Sequence, residues 1–319
     1  MKKLIVHSIA LLALALQVHA ETYPTRPIRI VVPFGPGGFT DVAARILQKE
    51  LAPALGQPIV IENKPGAGST IGTTDIARAE PDGYNLLMIS TTHVISPHLY
   101  KQVPYDPIKD FTPVMKLAEG PYVLVVHPSL GVKNVAELIA LAKAKPNQID
   151  YASSGNGSSQ HLVGALFCTM TGVQLSHVPY KGSSQAMNDV LAGTVKVSFV
   201  GVPNALPNVN AGKIRALAVS TRARYAEMPN VPTMDEAGVK GFDATIWLGL
   251  LAPPGTPREN VNKLNSTISK ILSTPDAKKL MASAGVDVAT STPEEFGALM
   301  QSELERWGKV VRETGATVN

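Results

Sequence analysis

Three glycine-rich stretches carry the residues best suited to gripping a ligand. The first is Pro33-Phe34-Gly35-Pro36-Gly37-Gly38-Phe39-Thr40-Asp41, between an apolar run and a helical pattern. Glycines there let backbone approach a ligand, and a helix start offers unpaired N–H groups with partial positive charge. Such an end can hold a carboxylate without Arg or Lys. Asp41 adds negative charge, so it is expected to brace its own helix start; the alternative is pairing with an ammonium on the ligand. The second stretch, Ser153-Ser154-Gly155-Asn156-Gly157-Ser158-Ser159-Gln160-His161, has the same placement and adds hydroxyl and amide donors. Two such starts facing one another would make an uncharged clamp for an organic anion. The third, Asn63-Lys64-Pro65-Gly66-Ala67-Gly68-Ser69-Thr70, resembles a phosphate loop superficially, but no Lys precedes Ser69. It reads as a structural connection at the edge of the site.

Enzyme chemistry is poorly supported. The chain has neither a Gly-x-Ser-x-Gly elbow nor a His-Glu-x-x-His helix. His93, His98, His127, His161 and His177 show no ligand spacing, so neither a metal nor another cofactor is expected. The single cysteine, Cys168, excludes an intramolecular disulfide and sits in an apolar helical segment as a small core residue. Charge points away from nucleic acid. The 29 Lys and Arg against 25 Asp and Glu give +4, falling to +2 without Lys2 and Lys3, and aromatics make up only 5%.

Strand-like and helical segments alternate from Pro27 to about Ser220, as in βα units on mostly parallel sheets. Ile28–Val32, Ile59–Ile61 and Leu86–Ile89 read as strands of one sheet, and Asp41–Leu55 as the first helix. Val123–Val126 reads as a buried central strand, and Asn134 with Glu137 as a capping box opening a helix to Lys145. Further strands are expected at 149–152, 175–179, 195–200 and 216–220, with helices at 159–170 and 185–191. After Trp247–Leu251 the chain turns helical, and Thr292-Pro293-Glu294-Glu295 is its clearest helix start. These helices are expected to return to the first lobe. The expected organisation is a leader over 1–20, one lobe from 21–123 plus 245–319, and a second over 124–244.

The leader has a basic start, an apolar stretch from Leu4 to Val18, and small residues before an expected cut between Ala20 and Glu21. That run is shorter than the ~20 apolar residues of a spanning helix. A soluble periplasmic product is the expectation.

Taken together, the segments resemble the Bug family, the TctC-like periplasmic solute-binding proteins of tripartite tricarboxylate transporters. The resemblance rests on Arg26 to Phe34 with Pro36-Gly37-Gly38 and Asp41, and on Glu62 to Gly68. It continues through Pro81-Asp82-Gly83-Tyr84, Tyr151 to Gly155, His177 to Gly182, Ala211 to Val219, Val231-Pro232-Thr233 and Ala252 to Pro257. It implies an α/β, two-lobed, type II Venus-flytrap receptor. The carried-over ligand residues are Phe34, Gly38, Phe39, Thr40 and Asp41 from the first loop, and Ser154, Gly155, Asn156, Ser158 and His161 from the second. Tyr180 and Lys181 are placed near the cleft, with Thr91, Thr92, Val202, Pro203 and Asn204 as further lining. Phe39 and Asn156 depart from the pattern and are the expected setters of ligand choice. The implied partners are a small organic carboxylate and membrane permease components, and a monomer is the default. Two other readings stay open: a sensor presenting its ligand to a signalling kinase, and a secreted hydrolase using Ser158 with His161.

Overall fold

The computed structural model describes residues 23–283 and 286–316. The expected leader lies outside them.

β1 (Ile28–Val32) is an almost wholly buried apolar strand. It pairs in parallel with β2 (Ile59–Asn63) and β3 (Asn85–Ser90). Between β1 and β2 runs α1 (Phe39–Leu55), which buries Ala43, Ala44, Leu47 and Leu51 at helical spacing and ends at left-handed Gly56. After β2 comes a short helix, α2 (Thr70–Ala77), and after β3 another, α3 (Thr92–Leu99). Neither short helix is legible in the sequence.

β4 (Thr112–Val126) is far longer than the run around Val123 suggests. Its first part pairs antiparallel with β9 (Thr245–Ala252), down to Pro121 beside Thr245. Its last part, from Tyr122 on, pairs antiparallel with β7 (Val197–Gly201) and β8 (Arg215–Val219). One strand thus belongs to both lobes. The crossing is tied by Ser220: its Oγ accepts from Tyr122 N–H at 2.8 Å, its N–H donates to the Tyr122 carbonyl at 2.9 Å, and its carbonyl accepts from Ala244 N–H at 3.0 Å.

The second lobe follows the expected order and adds one helix, over 202–210, that was not expected. It contains α4 (Val135–Ala144), β5 (Asp150–Ser153), α5 (Ser159–Thr171), β6 (Ser176–Pro179), α6 (Ser183–Leu191) and α7 (Val202–Asn210). Asn134 caps α4 as predicted, its side chain accepting from Glu137 N–H at 2.9 Å. β5 pairs in parallel with β6 and β7. The strand order is β2-β1-β3-β9-β4-β7-β5-β6. The outer ladders are parallel, as expected of βα units. The crossing strands β4 and β9 run antiparallel to their neighbours, so each sheet is mixed where the chain changes lobe.

The helical return packs on the first lobe. α8 (Arg258–Ser273) donates from Asn260 to the Asp82 carbonyl and from Asn265 to the Val114 carbonyl. α9 (Pro275–Ser283) and the short β10 (Asp287–Val288) lead to α10 (Pro293–Thr314), which opens on the predicted Thr292–Glu295 capping box. α10 buries Phe296, Met300 and Trp307. The Glu303 carboxylate, 8% exposed, accepts from the indole N–H groups of Trp247 and Trp307 and from Arg306.

Candidate functional site

The loops after β1 and β5 meet in the cleft between the lobes. A Cβ placed on Gly182 would lie 3.5 Å from Gly35 Cα, and one on Gly37, at φ +76°, would reach to 2.9 Å from Ser184 Oγ. The first distance is ordinary van der Waals contact, so what calls for glycine here is the left-handed backbone of Gly37. Deeper in, Thr92 and Ser159 join the lobes. Ser159 N–H donates to Thr92 Oγ1 at 3.1 Å, and Thr92 Oγ1 donates to Ser159 Oγ at 3.3 Å. At the rim, Tyr100 OH donates to the Asn156 carbonyl at 3.0 Å.

Between these contacts lies a small cavity of about 20 Å³, room for one ordered water. Phe34, Gly35, Gly38, Phe39 and Thr40 form its first-lobe wall, with Ser90 and Thr92. Ser154, Ser159, Gln160, Ser183 and Gly201 form the opposite wall, and Ile246 closes the hinge side. Phe34 and Ser154 also border a much larger chamber of about 820 Å³, lined by Tyr100, Gly155, Asn156, Tyr180 and Lys181 among others.

The small cavity is a donor-rich, uncharged place. Neither Lys nor Arg lines it. α1 starts at Gly38 without a side-chain cap, so its first N–H groups face the cleft unclaimed by their own chain. Asp41 is fully occupied elsewhere: its carboxylate accepts from Gly37 N–H at 2.8 Å, Arg45 Nε at 2.9 Å and Asn63 Nδ2 at 2.9 Å. Burial works to raise its pKa, but the bonds from Arg45, Gly37 and Asn63 prevail and hold it below the ordinary carboxylate range. Of the two expectations for Asp41, bracing its own loop is what these partners support.

The second loop is pinned from behind. Gln160 Oε1 accepts from Ser154 N–H at 2.7 Å, and Ser158 Oγ caps α5 by accepting from His161 N–H at 3.3 Å. Ser153 Oγ lies 2.6 Å from His177 Nε2. His177 stacks on His161 with ring centroids 3.9 Å apart. Burial pushes His161 down to about 4, and burial together with the neighbouring His161 pushes His177 to about 3, so both rings are neutral near pH 7. His161 Nδ1 accepts from Gly157 N–H at 3.3 Å. The Ser158 hydroxyl meets the His161 backbone and not its ring, which leaves no nucleophile–base pair there.

Comparison with known proteins decides the family. The model of the tripartite tricarboxylate transporter family receptor matches residues 43–316. The chain belongs to this receptor family. BugT of Bordetella pertussis is 39% identical over 310 residues, spanning 97% of this chain and 95% of its own. A solved R. palustris structure with adipate superposes with a TM-score of 0.90 at 36% identity, covering 93% of this chain and 100% of that one. MatC of Rhodopseudomonas palustris, solved with bound malate, gives a TM-score of 0.86 at 35% identity, covering 91% and 100%. The two-lobed α/β form is the periplasmic-binding-protein fold that such structures share.

Within this receptor, Phe34, Gly38, Phe39, Thr40, Thr92 and Ser154 from the sequence reading line the small cavity, and Gly155, Asn156 and Tyr180 line the chamber. Asp41, Thr91, Ser158 and His161 stand one layer behind. Thr91 Oγ1 accepts from Trp247 N–H at 3.1 Å. Val202, Pro203 and Asn204 form the first turn of α7, and it is the preceding Gly201 that reaches the cavity. A Cβ on Gly201 would lie 3.0 Å from the Phe39 ring, so that ring spans the cleft. Sequence reasoning missed Gly35, Ser90, Ser159, Gln160, Ser183, Gly201 and Ile246 as lining residues. Ser90 carried a signal, a hydroxyl ending an apolar strand. Ser159 and Gln160 continued the polar run already singled out.

Proposed function

We propose that this receptor captures a small organic carboxylate in the interlobe cleft and delivers it to the membrane components of a tripartite transporter. The observation that carries this reading is the cavity wall: helix-start N–H groups and hydroxyls of Thr40, Thr92, Ser154, Ser159 and Ser183 converge where no protein charge competes. One carboxylate oxygen takes the water-sized space against these donors, and the rest of the solute extends past Phe34 and Ser154 into the chamber. The bound adipate and malate of the two structural relatives support an acid of this class.

In this reading the lobes are 21–123 plus 245–319 and 124–244, hinged where β4 and β9 cross. Closure by hinge motion buries the solute, and the closed form is what the permease recognises. The site comprises Phe34, Gly38, Phe39, Thr40 and Thr92 facing Ser154, Gly155 and Asn156, with Asp41, Ser158 and His161 holding the loops. Phe39 and Asn156 set ligand choice, the first by its ring across the cleft and the second from the chamber wall. The protein works in the periplasm as a monomer after losing residues 1–20.

A thermal-shift screen of a carboxylate library, with hits confirmed by calorimetry, tests the reading. A true ligand at a hundred times its Kd stabilises the fold by about 2.7 kcal/mol. Absence of any stabilising carboxylate, or turnover of one, would contradict it.

A further inference from the structure

Beneath the cavity lies a hydroxyl to which the receptor reading gives no task. Tyr122 is the first β4 residue to pair within the second lobe, opposite Gly201, and it is completely buried. Its phenol faces the hydroxyls of Ser159 and Thr91 but has no hydrogen-bond partner of good geometry. A buried hydroxyl without a partner is costly, so its surroundings need explaining. Burial holds the phenol far above its usual titration range, which keeps it a proton donor at every working pH.

The protons around it can be counted. Thr91 Oγ1 accepts from Trp247 N–H and points its own proton at the Thr245 carbonyl, which leaves it a lone pair but no proton to pass on toward the cavity. Thr92 Oγ1 accepts from Ser159 N–H and gives its only proton to Ser159 Oγ. Ser159 Oγ therefore keeps one free lone pair and its own proton, and Ser159 lines the small cavity. A phenol proton delivered to that lone pair would leave the serine proton no direction but the cavity.

We propose that Tyr122 is a positioning residue of the ligand site, donating to Ser159 Oγ so that Ser159 in turn donates to the bound carboxylate. This rests on the carboxylate reading and deepens it. Tyr122 stands where β4 passes between the lobes, so seating of this strand on closure and orientation of the Ser159 donor are one event. The residue touches the ligand only through Ser159.

Calorimetry with acetate, malate, adipate and benzoate on the wild-type chain, Tyr122→Phe, Ser159→Ala and the double variant tests it. For the tightest binder of these four, Y122F raises Kd about five- to ten-fold, while the melting temperature of the ligand-free protein stays level or rises. In the S159A background the same change has no further effect, because the relay is already cut. Wild-type affinity in Y122F, or a loss that adds in full to that of S159A, overturns the inference alone. Failure of the wild-type chain to bind any of the four overturns the carboxylate reading and this inference together. Should Y122F lose its fold, a crystal structure of the wild-type chain with the tightest binder decides: Tyr122 Oη within about 3.2 Å of Ser159 Oγ is expected, and a phenol paired elsewhere or unpaired overturns the inference.

Discussion

Thr92 of α3 and Ser159 of α5 stand on opposite lobes and share two hydrogen bonds, one from the Ser159 N–H at 3.1 Å and one between the hydroxyls at 3.3 Å. Both residues are almost fully buried. This pair stitches the deepest part of the cleft, and both its members line the cavity. Thr92→Val keeps the shape, removes the oxygen, and leaves a buried N–H at the start of α5 unpaired. The expected cost to the closed form is about 1–2 kcal/mol, read as ligand affinity reduced by roughly five- to thirty-fold. Calorimetry measures it; unchanged affinity would show that the stitch does not contribute to closure.

Asp41 contributes at one remove. Its carboxylate holds Gly37, Arg45 and Asn63, and so fixes the loop whose backbone faces the cleft. Asp41→Asn is expected to lower stability by about 1–3 kcal/mol and to weaken carboxylate binding as well. The second effect separates a loop brace from a repelling charge. If Asp41 mainly opposed the anion, D41N would bind more tightly.

Gly249 in β9 has strands on both sides, β3 and β4, and a Cβ there would fall on the Phe296 ring of α10. The strand cannot move away, so the ring and the start of α10 must. Gly249→Ala should lower stability by about 1–3 kcal/mol in a denaturant melt. A neutral result would mean that α10 is held to the sheet more loosely than this contact indicates.

Acid should weaken the fold through its buried histidines. His93 and His161 are pushed down to about 4 by burial, and His177 to about 3 by burial and by His161. In the unfolded chain these rings take up protons near 6.5. Between those values the unfolded state binds more protons, so their contribution is complete above pH ~6.5 and is lost progressively as pH falls toward 4. Each histidine adds up to about 1.4 kcal/mol per pH unit in that window. Melting temperatures from pH 7.5 to 4.5 check this, and His177→Asn should flatten the slope.

Much of this fold is legible in the sequence because the buried strands are plain apolar runs and the helix starts carry their caps. β1, the Asn134 cap of α4 and the Thr292 cap of α10 all stand where expected. β4 was half hidden. Pro113, Lys116, Glu119, Gly120 and Pro121 break its apolar pattern, and the ladder to β9 shifts register beside two of them. α3 and α7 were missed because Pro97, Pro203 and Pro207 argue against helix, yet tertiary packing holds them. For the site, the two loops were found from glycine and serine content. Ser183, Gly201 and Ile246 were not, since each reaches the cavity only through the way the lobes meet, which no local pattern encodes.

The central claim is that an uncharged pair of loops grips an anion, and a crystal structure with the tightest carboxylate from the screen tests it most directly. The account predicts carboxylate oxygens within hydrogen-bond distance of N–H and hydroxyl donors from residues 34–40 and 154–160, with the remainder of the solute in the chamber beside Tyr100 and Asn156. A solute held chiefly by Lys181, an arginine or a metal ion, or bound away from these two loops, would contradict it.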